Sequence, residues 1–204
     1  MNLPDPGLSL PRIGTIGTEV ALNRNRLLLW IAAGFVAFPL AGVAARAIGS
    51  IDSVIVALAA GAIAGAVIGA AQWLVLRGIG IDARWILATA GGFAVGMTAG
   101  VAVFGYETGT ADLAAVGAVS GLGIGIAQWP LLHDRLRASA LWMPAIAGLW
   151  ALGWTVSTRL GVDLTTQRWA VFGIFGAVTV ALLSGALLWV LQKKSPATPN
   201  PVTA

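Results

Sequence analysis

Six stretches of about 20 apolar residues, separated by short connectors, constrain this chain more than any other feature. They run roughly over Leu27–Arg46, Ser53–Leu76, Trp85–Gly105, Ala111–Leu132, Leu141–Leu160 and Trp169–Leu191. A helix needs about 20 residues to cross a hydrocarbon core roughly 30 Å thick. Short connectors make successive helices antiparallel neighbours. A β-barrel would alternate apolar and polar residues at every second position, whereas these runs are continuously apolar and rich in Ala, Gly and Leu. The expected fold is therefore all-α, an integral membrane bundle of six transmembrane helices.

Composition supports that reading. The chain is 58% hydrophobic and 10% charged, while soluble globular chains average about 25% charged residues. The net charge of +4 is explained by basic residues flanking membrane spans, and no basic run interleaves with aromatics as a nucleic-acid site would require. Cysteine is absent, which excludes disulfides and thiol chemistry. Ten Arg against two Lys, with abundant Ala and Gly, points to a GC-rich bacterial genome, hence to a bacterial inner membrane.

Orientation follows from the distribution of Arg and Lys between loops. One side carries Arg12, Arg24, Arg26, Arg77, Arg84, Arg135, Arg137, Lys193 and Lys194, nine in all; the other carries Arg46, Arg159 and Arg168. Both termini are therefore expected in the cytoplasm. Residues 1–26 read as a cytoplasmic tail, 27–192 as the transmembrane domain and 193–204 as a proline-broken, disordered cytoplasmic tail. The first span also has the features of a secretory signal, but it fits an internal repeat that a cleaved segment need not share.

That repeat is marked by GAVIGAAQW and GLGIGIAQW. Gly61, Gly65, Gly69, Gln72, Trp73 and Leu76 fall on Gly117, Gly121, Gly125, Gln128, Trp129 and Leu132 at one offset of 56 residues. Trp85 precedes Gly91 by six residues, as Trp142 precedes Gly148. More worn copies are read in the first span, whose Trp30 helix stands before the first ridge as the third span stands before the second, and in the last, which keeps Trp189 but has lost the Gln. The chain thus reads as two or three repeated helical hairpins, over about 27–82, 83–138 and 139–192.

At about 100° per residue, Gly61, Gly65 and Gly69 lie within roughly 80° of one another, and Gln72 returns to the same stripe. Gly117, Gly121 and Gly125 repeat the arrangement with Gln128. Such a stripe lets another backbone approach closely where lipid offers no hydrophobic drive. The six glycines are expected to pack helices. Trp30, Trp73, Trp85, Trp129, Trp142 and Trp189 are expected to anchor the bundle at one interface. Gln72 and Gln128, with the equivalently placed Arg46 and Arg159 near the outer ends of their helices, are the candidate polar or ligand contacts.

Nothing else suggests chemistry. His133 is the single histidine, with no Cys or second His nearby, so no metal site is expected. The Gly-x-Gly pieces lie inside apolar helices and do not form a phosphate loop. No carboxylate stands in the middle of a span, so an ion pathway and paired acid–base catalysis are not expected. The expected surroundings are membrane lipids, and the expected partners a second copy or another subunit of a membrane complex. No cofactor and no nucleic acid is implied.

The ridge ending AlaGlnTrpLeuValLeuArg, followed by a Trp-led helix, resembles small bacterial multi-pass membrane proteins that carry this pattern in tandem. The resemblance covers about residues 55–155. It implies an architecture, with no established activity and no catalytic residue. The second copy departs from the pattern at Pro130 and at His133–Asp134, where the first has Arg77–Gly78. The expected function is that of a structural, accessory or assembly subunit, not an enzyme; the alternative is a small transporter or channel for a neutral or lipid-like solute. An alkaline phosphatase reporter fused beyond Lys194 should be inactive, since both termini are placed inside; activity would overturn this topology.

Overall fold

A computed structural model describes residues 23–160 and 170–192. Six helices follow one another: α1 (Arg24–Arg46), α2 (Val54–Leu76), α3 (Arg84–Phe104), α4 (Thr110–Leu132), α5 (Trp142–Arg159) and α6 (Ile174–Leu191). Each is long and apolar enough to cross a membrane. The chain is a multi-pass helical membrane protein. Large apolar side chains such as Ile55, Leu87, Val103 and Val190 are exposed on the bundle surface, where lipid rather than water suits them.

The helix boundaries have local causes. Asn23 caps α1, its Oδ1 accepting the Arg26 N–H at 2.9 Å, so Arg24–Arg26 join the helix instead of the tail. Ser53 does the same for α2, its Oγ accepting the Val56 N–H at 3.3 Å. The last helix starts at Ile174, later than the expected Trp169, a residue that falls outside the described ones with Arg168. Gly173 is extended at φ −67 and ψ −179 and caps α6. Just before it, Ala170, Val171 and Phe172 are buried without being helical. Phe172 is drawn among aromatic rings, 4.9 Å from Phe38 and 5.1 Å from Trp150 between centroids. The expected tails, apart from 23–26, lie outside the described residues.

Neighbouring helices pack in chain order, and α6 returns to α1, so the six close into a ring. Glycine sets the closest approaches. A Cβ on Gly65 would stand 2.7 Å from both Thr89 O and Ala90 Cα of α3, while Gly61 and Gly69 meet the same helix at Ala94 and Thr89. On α4, Gly121 and Gly125 meet Ala147 and Met143 of α5 in the same way, and Gly117 meets Trp150 and Trp154. Each ridge therefore lies against the helix that follows it. Between α3 and α4 the contact runs through Gly92, Gly96 and Gly123, all backed by opposing backbone. Gly91 and Gly148 differ, for nothing lies within 4 Å of a Cβ built on either.

The interior of the ring is filled by aromatic side chains. Phe38 of α1, Phe93 of α3 and Trp150 of α5 are almost fully buried, and each stands eight residues after Trp30, Trp85 and Trp142 respectively. Phe93 meets Trp150 edge-on at 4.6 Å, and Phe38 lies 6.1 Å from Trp150.

These contacts separate two kinds of glycine. Gly65→Ala should cost about 1–3 kcal/mol, because the new methyl meets backbone that must shift. Gly148→Ala should be neutral or stabilise by roughly 0.5–1 kcal/mol through helix propensity. Thermal unfolding in detergent measures both, and equal effects would contradict the packing.

Candidate functional site

Three indole N–H groups organise the polar interior of the bundle. Trp85 Nε1 donates to Gln72 Oε1 at 3.1 Å, and Trp142 Nε1 donates to Gln128 Oε1 at 3.0 Å. Trp30 Nε1 donates to Ser184 Oγ at 3.0 Å, across 154 residues of sequence. Ser184 stands 56 residues beyond Gln128, as Gln128 stands 56 beyond Gln72. A hydroxyl thus occupies the position at which the third ridge has no amide. Each pair joins a ridge helix to a Trp-led helix: α2 to α3, α4 to α5, and α6 back to α1.

The ridges make these bonds possible. Gln72 shares the glycine face of α2, which lies directly on α3, so its amide is held beside the start of that helix. Trp85 is the second residue of α3 and Trp142 the first of α5. Gln128 does more than Gln72. Its Nε2 donates to Thr89 Oγ1 at 2.9 Å, and Thr89 in turn donates to the Trp85 carbonyl at 2.8 Å. A continuous hydrogen-bonded chain therefore runs from α5 through α4 to α3. Gln128 is 2% exposed and Thr89 is 1% exposed, so neither amide nor hydroxyl has water to fall back on. Every such group in hydrocarbon needs a partner inside the protein.

Gln72, Thr89, Gln128 and Ser184 line a cavity of about 20 Å³, with Trp30 and Trp142 at its walls. Phe38 and Trp150 bound it as well. A second cavity of about 30 Å³ lies toward the other end of the bundle, lined by Met97, Tyr106, Glu107, Ser120 and Trp154 among others.

The tryptophans divide in a way their shared type concealed. Trp30, Trp85 and Trp142 are at most 2% exposed. They are inside the bundle as hydrogen-bond donors, which corrects the expectation that they anchor it to headgroups. Ring depth alone did not decide their role; a neighbouring helix offering an acceptor did. Trp129 and Trp189 are exposed on the outside, and Trp129 donates to Ser139 at 3.2 Å. Trp73 is half-buried with the Arg77 guanidinium 5.6 Å from its ring centre.

Arg46 and Arg159 are exposed at the ends of α1 and α5 and do not join the polar interior. At the opposite end, Arg84 pairs with Asp82 at 2.6 Å, and that hydrogen-bonded guanidinium holds the Asp82 carboxyl below the usual carboxylate range. His133 is exposed, with Nδ1 2.7 Å from the Pro130 carbonyl and Nε2 3.1 Å from Asp134. Arg135 donates to the carbonyls of Ile79 and Gly80 at 2.5 and 3.0 Å, tying the turn after α2 to the turn after α4.

Sequence reasoning missed Thr89 and Ser184 as partners in this interior. The 56-residue step beyond Gln128 was the signal that pointed to Ser184. In comparisons with known proteins, no family model, no curated protein and no solved structure matches the chain.

Gln128→Leu strands the Trp142 N–H and removes a donor to Thr89. It should lower unfolding stability by about 1–3 kcal/mol, and Gln72→Leu, which strands one N–H, by less. Unfolding in mixed micelles reads both, and negligible loss from Gln128→Leu would contradict the assigned bonds.

Proposed function

We propose that the chain is a structural, accessory or assembly subunit of a bacterial inner membrane, with both termini in the cytoplasm. We read it as three copies of a Trp-led helix followed by a ridge helix, over about 27–82, 83–138 and 139–192, closed so that α6 takes α1 as its partner. Repeats of one orientation are related by an axis along the membrane normal. The 56-residue steps through Ile68, Ile124 and Val180, through Gln72, Gln128 and Ser184, and through Leu76, Leu132 and Leu188 support this reading. All three sets include side chains turned into the bundle.

One observation carries the functional reading. Three buried indoles are engaged across helix pairs, Trp85 on Gln72, Trp142 on Gln128, and Trp30 on Ser184. Such bonds contribute on the order of 0.6–2 kcal/mol each in a membrane. They hold helices together. The axis is further filled by Phe38, Phe93 and Trp150. What remains available is the apolar exterior and the charged ends, the surfaces that lipids and other membrane subunits contact.

The cavity beside Gln72 and Gln128 favours a second reading, a small transporter or channel for a neutral or lipid-like solute. Proteoliposomes distinguish the two. Under the structural reading, glycerol entry measured by light scattering matches that of empty liposomes. Entry above that level, lost in a folded Gln72→Leu/Gln128→Leu variant, would favour transport. Purification in mild detergent followed by mass spectrometry should then recover a second copy or a stoichiometric membrane subunit; a monomer carrying lipid alone would contradict the accessory role.

A further inference from the structure

We propose that the cavity between Gln72 and Ser184 is a binding site for one water molecule, which completes the hydrogen bonding where the helical ring closes. The argument begins from a difference between two otherwise equivalent amides. Gln128 uses both ends of its side chain, accepting from Trp142 and donating to Thr89. Gln72 accepts from Trp85, while its Nε2 donates to none of the described residues. Gln128 is buried and Gln72 is half-buried, although both line the same cavity.

The missing acceptor has a structural cause. Thr89 stands four residues after Trp85 on α3, the helix that precedes Gln128's own. The corresponding position on α1, four residues after Trp30, is Gly34. A hydroxyl-bearing side chain has no room there. A Cβ on Gly34 would lie 2.6 Å from Ala181 Cβ, because α6 crosses α1 at that point. Closing the ring thus removes the group that would have satisfied Gln72.

The same closure opens the space for a substitute. Ser184 replaces the longer Gln side chain at the third position. Trp30 reaches in to its hydroxyl at 3.0 Å, and that hydroxyl has only a long contact of 3.4 Å to the Ala181 carbonyl as its own acceptor. The cavity measures about 20 Å³, and a single water needs roughly 10–15 Å³ together with two to four polar partners. Gln72 Nε2 supplies a donor and Ser184 Oγ a hydroxyl that accepts or donates. Among the described residues the lining contains no carboxylate and no cationic side chain, so an ion has no counter-charge there, and the volume suits one water.

Water-edited solid-state NMR of the chain in bilayers, labelled at glutamine side-chain nitrogen, tests this directly. Glutamine assignments come from single Gln→Leu variants. The Gln72 NH2 signal should build up from water at least threefold faster than that of Gln128. In Ser184→Gln, which fills the cavity, Gln72 transfer should fall to the Gln128 level. Equal build-up for the two amides in the unaltered chain would overturn the site without recourse to any cavity variant. Unchanged fast transfer in a folded Ser184→Gln variant would also overturn it, showing that bulk water reaches Gln72 by another route.

Discussion

Three buried indole N–H groups each take an acceptor from a neighbouring helix, and these bonds tie the helices into pairs, while Trp73 Nε1 stays buried without a partner among the described residues. Trp85, Trp142 and Trp30 each need an acceptor, and they find it on α2, α4 and α6 respectively. An acceptor on the wrong helix would leave a donor stranded in hydrocarbon, at a cost of several kcal/mol. These bonds select one arrangement from among the many that apolar helices pack equally well. The hydrophobic effect does not make that choice, because lipid tails are as apolar as leucine.

Glycine makes the choice geometrically possible. An amide reaches a neighbouring indole only if the two backbones come close, and Gly61, Gly65 and Gly69 let α2 lie directly on α3. The third interface obeys the same demand with different residues. Ala177 and Ala181 stand where the other ridges have Gly65, Gly69, Gly121 and Gly125, so the room is given instead by Gly34 on α1 and by Gly185, which faces Trp30. Moving the glycine from one helix to the other preserves the approach but displaces the polar groups. A shorter Ser184 then meets Trp30, and Gln72 lacks the hydroxyl that Gln128 has. The departures from symmetry are thus linked, each following from the way α6 returns to α1.

Much of the fold was legible in the sequence because its determinants are local. Apolar length fixes a membrane helix, and Ser53 marks the start of α2 by a mechanism that acts within three residues, whereas the Asn23 cap draws Arg24–Arg26, expected in the tail, into α1. The glycine stripe and the inward face of Gln128 follow from helical periodicity alone. The start of α6 was not legible, because Phe172 leaves the helix to join rings contributed by α1 and α5. The interior placement of Trp30, Trp85 and Trp142 was not legible for a related reason. Residue type suggests an interfacial anchor, and Trp129 and Trp189 do lie outside. Whether Trp30 sits inside depends on Ser184, a partner 154 residues away, and no local pattern carries that information.

The closed ring is the feature on which the paired donors, the shifted glycines and the polar cavity all depend. Because the chain contains no cysteine, a Leu27→Cys/Gly185→Cys pair provides a clean test: Leu27 Cδ1 lies 2.9 Å from a Cβ built on Gly185. With a protease site inserted between α3 and α4, oxidation in native membranes followed by cleavage should leave the two halves joined in a single reducible species. Halves that separate after complete oxidation would show that α1 does not meet α6, contradicting the ring.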